Sequence, residues 1–201
     1  MSGPSVVVHG HGEVEVVPDA LRLELAVETG AKGVSEALRA ARSTMASLRT
    51  AVAEAGPSGP DLRTSGLNVW QRFDGEKQVG YVASESLTVL VRDVDAVDQV
   101  LEAATIAAGD GLRVQGLAFT VTEPGEAMDS ARRQALAEAT RVAKLYAAAT
   151  GRELGTVLHI TEGGAAQPVF GRMKLLADSA AGVERGTQTI SADVTVEWAF
   201  A

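Results

Sequence analysis

The chain has 201 residues, a net charge of −8, a pI near 4.9 and no cysteine. The acidic balance argues against nucleic acid, whose binding needs a basic face to displace phosphate counterions, and it disfavours anionic membrane surfaces for the same reason. Without cysteine, neither disulfides nor thiolate metal sites contribute, which fits a reducing compartment and is also compatible with the periplasm.

The opening residues MSGPSVVVHGHGEVEV lack a basic region followed by an apolar one, so no signal peptide is expected at this start. Nor does any later stretch approach the ~20 apolar residues of a spanning helix, so no membrane insertion is expected. Val6, Val8, Val14 and Val16 share parity along a first strand that Pro18-Asp19 breaks. A second strand places Leu21, Leu23, Leu25 and Val27 on one face and Arg22, Glu24, Ala26 and Glu28 on the other. After Gly30 and Gly33 the period changes, and Val34, Leu38, Ala41, Met45, Leu48 and Val52 mark an amphipathic helix with Arg39, Arg42 and Arg49 turned away. Gly56-Pro57-Ser58-Gly59-Pro60 ends it.

Two strands follow over Leu62–Phe73 and Tyr81–Val91, joined at Asp74-Gly75-Glu76-Lys77. Asp93 is placed to cap the next helix, with Asp95 and Asp98 in its first turns and an apolar stripe of Val94, Val97, Leu101, Ala104 and Ala108. Gly109-Asp110-Gly111 stops that helix, and Leu112 to Val121 reads as a strand. Pro124 opens a long alanine-rich helix that Gly151 closes. The last strands are Leu154–Ile160 and Thr187–Phe200. Between them residues 163–186 have no sustained period; they read as a long excursion, with a short helix near Met173 to Leu176.

The fold class is therefore α+β, a mainly antiparallel sheet with three helices on one face, in the order β-β-α-β-β-α-β-α-β-β. The inner part from Leu21 to Val121 reads β-α-β-β-α-β, the split β-α-β pattern of ferredoxin-like sheets. No boundary between independent domains is evident. For 20.8 kDa, area scaling gives about 70% of the unfolded surface buried, on the order of 20,000 Å², ample for an unaided core of small aliphatic side chains.

His9 and His11 project from one strand face and could offer two imidazoles to a metal, but no acidic or histidine partner is identifiable nearby and His159 is distant in sequence. Exposed or hydrogen-bonded strand histidines are expected, with no metal site. Gly10-His11-Gly12 is not a dinucleotide fingerprint: Glu15 stands at the sixth position, and more strand follows instead of a helix N-terminus. Asp93, Asp95 and Asp98 fail calcium-loop spacing, because Val97 and Asp98 occupy the fifth and sixth positions. No serine sits in a nucleophile elbow, and the abundant carboxylates leave an acid pair as the open route to a hydrolase. Ala131, Ala135, Ala139, Ala143 and Ala147 form a small-residue stripe that lets another element approach closely, either within the chain or between subunits.

Four stretches in order resemble one family: GHGEVEVVPDALRLELAVET, then LRTSGLNVWQRFDGEKQVGYVASESLTVLVRDVDAVDQVLEAA, then AMDSARRQALAEATRVAKLYAAATGRELGTVLHITEG, and finally GTQTISADVTVEWAF. The resemblance is to the SIMPL-domain family, which includes the periplasmic immunogenic protein of pathogenic bacteria and an oxidative-stress-associated envelope protein. It covers nearly the whole chain apart from the excursion over residues 165–182. It implies one SIMPL-type domain over residues 1–201, with a first part at 5–122 and a long helix plus closing strands at 123–201. It also implies no established enzymatic activity, no cofactor, no catalytic residues to carry over, and large ring-shaped or channel-like homo-oligomers in some members.

The expected function is thus non-enzymatic homo-oligomeric assembly or protein interaction, in an envelope or oxidative-stress setting. A small-molecule or peptide binding module is the alternative, and a hydrolase using clustered carboxylates stands behind it. No catalytic, cofactor-binding or metal residue is assigned, and the partners expected are further copies of the chain or another protein. The compartment expected is cytoplasmic for the chain as it stands, and periplasmic or secreted if a leader was removed. The excursion around Phe170 and Met173 is the first place to look for a functional surface.

Overall fold

A computed structural model describes residues 3–163 and 186–201. Its elements run β1 (Ser5–Val16), β2 (Ala20–Ala31), α1 (Val34–Glu54), β3 (Leu62–Asp74), β4 (Lys77–Val91), α2 (Val97–Ala108), β5 (Leu112–Thr120), α3 (Gly125–Ala149), β6 (Leu154–Glu162) and β7 (Gln188–Phe200). The order is the α+β series expected from the sequence, and every strand pair is antiparallel. The short helix expected near Met173 and the surface around Phe170 lie outside the described residues. The chain divides into two compact units, one of Asp19–Thr120 and one of Met1–Pro18 with Val121–Ala201.

The Asp19–Thr120 unit holds a four-stranded sheet in the order β3-β4-β2-β5. β2 and β3, linked through α1, both flank β4 and run antiparallel to it, which is the split β-α-β arrangement. One face carries Leu21, Leu23, Leu25 and Val27 opposite Val91, Val89, Leu87 and Glu85. The four aliphatic side chains on β2 are wholly buried, each stabilising the unit by about 1.5–3 kcal/mol relative to exposure. α1 covers this face with Ala37, Ala41, Met45, Leu48 and Val52. Its stripe is centred slightly off the expected one: Ala37 is buried, Val34 is exposed and Leu38 is only partly covered. α2 adds Val97, Val100, Ala104 and Ala108.

Local chemistry explains the boundaries. Gly75, at φ 59°, begins a two-residue turn between Asp74 and Lys77, where the twist of a hairpin demands a positive φ. The Asp93 carboxylate accepts from the Asp95 N–H at 3.2 Å and caps the turn that leads into α2, as its acid-rich start predicts. α3 ends with Arg152 N–H donating to the Ala147 carbonyl at 2.9 Å and Gly151 N–H to that of Ala148 at 3.1 Å. With Gly151 at φ 67°, this is the paired closure that glycine permits after a helix.

The other unit has a three-stranded sheet, β1-β7-β6. β1 and β6 both run antiparallel to β7 and so parallel to one another, with α3 leading into β6. This repeats the β-α-β-β half of the first sheet, with residues 19–120 inserted between β1 and α3. The valine face of β1 is continued by Gly10 and Gly12, which lie opposite Val194 and Ala192. A Cβ on Gly10 would fall 2.0 Å from the Ala135 carbonyl oxygen, and one on Gly12 would fall 2.2 Å from that of Ala131. The alanine stripe of α3, buried throughout, therefore seats on the two glycines. Packing within the chain uses up this small-residue face.

Candidate functional site

α3 lies over β1 and β7; among the described residues of its unit, it does not cover the opposite face of the sheet or the edge strand β6.

The opposite face carries all three histidines of the chain. Period-two alternation aims His9 and His11 away from α3, because Val8, Gly10 and Gly12 face it. Antiparallel register then sets Thr195 beside His9, Asp193 beside His11 and Glu197 beside His159. His9 Nδ1 is 2.7 Å from Thr195 Oγ1, His11 Nδ1 is 2.9 Å from Asp193 Oδ1, and His159 Nε2 is 2.8 Å from Thr161 Oγ1. His11 Nε2 also lies 3.7 Å from Glu13 Oε2. The hydrogen bond to Asp193 holds the His11 pKa above the usual imidazole range, with Glu13 adding to the effect against slight desolvation.

The sequence reading that no acidic or histidine partner lies near His9 and His11 is thus corrected. Asp193 is 182 positions from His11, and only the register of β7 brings it there. Glu13 was visible in the sequence, as the next side chain on the same strand face. Among the described residues no group of three or more histidine, aspartate or glutamate side chains has the placement to hold a metal ion. The contacts are those of hydrogen-bonded surface histidines.

β6 is exposed along nearly its whole length. Val157, Leu158 and Ile160 are each about half exposed, at 48%, 54% and 51%. The helix reaches this strand through the Arg132 guanidinium, which donates to Glu162 at 2.9 Å. One turn further along the same flank, Leu136 is also exposed. Among the described residues the α3–β6 side is therefore an exposed apolar strip beside an outer strand edge, flanked by Arg132 with its two carboxylate partners Glu162 and Asp129. Sequence reasoning missed it because Val157 and Ile160 look like core residues of an inner strand; topology alone makes β6 outermost.

Two carboxylates do share a small depression of about 200 Å³ formed with Ala55, Gly56, Pro57 and Arg92. Both are engaged there. Asp61 accepts two hydrogen bonds from the Arg92 guanidinium at 3.0 and 3.1 Å, and Asp93 caps the turn before α2. Neither is poised as a general acid or base.

The split sheets, the glycine-seated alanine helix and the four ordered sequence blocks define a SIMPL-type α+β protein. The chain belongs to the SIMPL family, described as protein of unknown function (DUF541), whose model matches residues 6–198. It is 32% identical over 167 residues to the 26 kDa periplasmic immunogenic protein of Brucella melitensis, covering 78% of this chain and 66% of that protein. It is 29% identical over 164 residues to the uncharacterised protein YggE of Escherichia coli K12, covering 79% of this chain and 65% of that one. The chain thus spans just under two thirds of the length of these relatives. Among solved structures, the crystal structure of AtUAH in complex with glyoxylate matches at a TM-score of 0.30 and 11% identity, covering 65% of this chain and 35% of that one, too distant to carry an argument.

Proposed function

We propose that the chain is a non-enzymatic assembly module whose copies associate through the β6 edge, in the bacterial periplasm and in an envelope or stress-response role. The observation that carries this reading is the uncovered strip of Val157, Leu158 and Ile160 with Leu136 beside it. An outermost strand offers N–H and C=O groups to another strand, and an exposed apolar edge suits a two-fold pairing with an identical copy. The alanine stripe, the other surface suited to close association, is already seated on Gly10 and Gly12. The periplasmic placement follows the name of the Brucella relative.

Size-exclusion chromatography with light scattering tests the reading. The wild type should run as a multiple of 20.8 kDa, and Ile160→Lys with Val157→Lys should return it to the monomer mass without unfolding it. A wild-type monomer at high concentration, or an assembly indifferent to both lysines, would overturn it.

A further inference from the structure

A second open edge lies in the other unit and differs in charge. β3 is the outermost strand of its sheet, thirteen residues long and exposed beyond Leu62 except at Gly66. Register places Leu67 opposite Glu85, Val69 opposite Ala83 and Gln71 opposite Tyr81, on the face that α1 covers. Yet α1 sits over β2 and β4, so Leu67 and Val69 remain exposed. On the other face of the same strand Trp70 is exposed as well.

The helix flank overlooking this uncovered strip is basic. Arg49 Nη1 donates to Thr64 Oγ1 at 3.2 Å, which fixes one end of α1 beside the start of β3. Leu38 packs with Tyr81 against Ala83, which fixes the other end beside Val69 and Gln71. Arg42 lies between these two points and Arg39 next to Leu38, and both line a shallow depression with Ser35. Among the described residues neither Arg39 nor Arg42 forms an ion pair. The acids near this side are Glu36, in the first turn of α1 one turn before Arg39, Glu54, at the far end beside Arg49, Asp74, at the end of β3, and Glu85, whose Oε2 is buried without a hydrogen-bond partner. In a chain of net charge −8, two arginines outside any ion pair among the described residues, beside an outer strand, are cations left available to an acidic partner.

We propose that the open edge of β3 receives an extended acidic segment of a partner protein as an added strand. The partner's backbone would take up the free N–H and C=O groups of β3. Its alternate side chains would fall on the α1 side, where acids meet Arg39, Arg42 and Arg49. The intervening ones would fall on the Trp70 side, where apolar groups are suited. The segment is therefore one that alternates acidic and aliphatic residues. A second copy of β3 is a poor occupant, since antiparallel pairing of identical edges would bring the two arginine flanks together.

This proposal is independent of assembly at β6, and its test keeps the two apart. A fluorescein-labelled octapeptide of alternating glutamate and valine is titrated with the full chain and followed by fluorescence anisotropy, beside its lysine–valine counterpart. The glutamate peptide should bind, weaken with added salt, and lose about tenfold or more in affinity to the variant Arg39→Glu with Arg42→Glu. The lysine peptide should prefer that variant. Equal binding of the two peptides, no binding of the acidic one at millimolar concentration, or indifference to the charge reversal overturns the proposal. So would efficient disulfide-linked dimers of a Leu67→Cys variant, which would show that a second β3 fills the edge. None of these outcomes bears on the mass of the β6 variants.

Discussion

Replacing Gly12 by alanine asks whether the close seat of α3 on β1 organises the Met1–Pro18 and Val121–Ala201 unit. The added Cβ would stand 2.2 Å from the Ala131 carbonyl oxygen and 2.6 Å from the Ala135 amide nitrogen, where ordinary contact begins at 3.4 Å. The shortfall is 1.2 Å against backbone atoms, so no side-chain rotation relieves it and the helix must retreat from the sheet. Overpacking costs about 1–3 kcal/mol, and a rigid backbone clash belongs at the upper end. About 3 kcal/mol lowers the Tm of a chain of this size by roughly 6–12 °C. Gly10→Ala, with its 2.0 Å approach to Ala135, should behave alike. Gly116→Ala is the control, because its Cβ would meet nothing nearer than the Glu24 Cβ at 4.0 Å; it should stay within about 0.5 kcal/mol. Urea and thermal unfolding followed by circular dichroism measure all three. A Gly12→Ala protein as stable as the Gly116→Ala control would refute the close-packed seat.

Single contacts and the chain's two compact units give further expected outcomes. The His11 pKa is raised by Asp193 in the folded chain, so their pairing stabilises below the unfolded value near 6.5 and is lost as pH rises through the folded value. Titration of the His11 ring by NMR should give a midpoint above that of free histidine and a lower one in Asp193→Asn, where Glu13 still acts; identical midpoints would contradict the contact. Asp93→Ala should cost about 1 kcal/mol by removing the cap ahead of α2, seen as a lower urea midpoint at unchanged slope. If residues 1–201 fold as one domain, as proposed from the sequence, heating should give one calorimetric transition whose van't Hoff and calorimetric enthalpies agree. Two resolved transitions would assign independent stability to the two units.

The sequence revealed elements better than it revealed surfaces. Leu21, Leu23, Leu25 and Val27 announce a half-buried strand because alternation is local, and the turn at Gly75 and the close at Gly151 follow from residue chemistry alone. The purpose of Gly10 and Gly12 was not visible, since their constraint comes from Ala131 and Ala135 more than 100 positions away. The same distance hid Asp193 from His11. β6 and β3 were legible as strands but not as edges: strand order depends on long-range pairing, and an apolar residue on an outer strand has the same local pattern as one in the core. The arginines of α1 read correctly as turned from the core, and only the uncovered β3 beside them gives that flank a use.

The most direct test of assembly at β6 uses the absence of cysteine from the chain. Leu158 stands at the middle of β6, so two-fold antiparallel pairing of this edge would bring the two copies of residue 158 close to the symmetry axis, near the roughly 4.4–6.8 Å Cα separation that a disulfide spans. A Leu158→Cys variant, oxidised at low concentration, should become a disulfide-linked dimer, while Val17→Cys, also exposed but just beyond the end of β1, should remain monomeric on denaturing gels. Equal and inefficient cross-linking of both variants would contradict the account, and the search for the interface would leave β6.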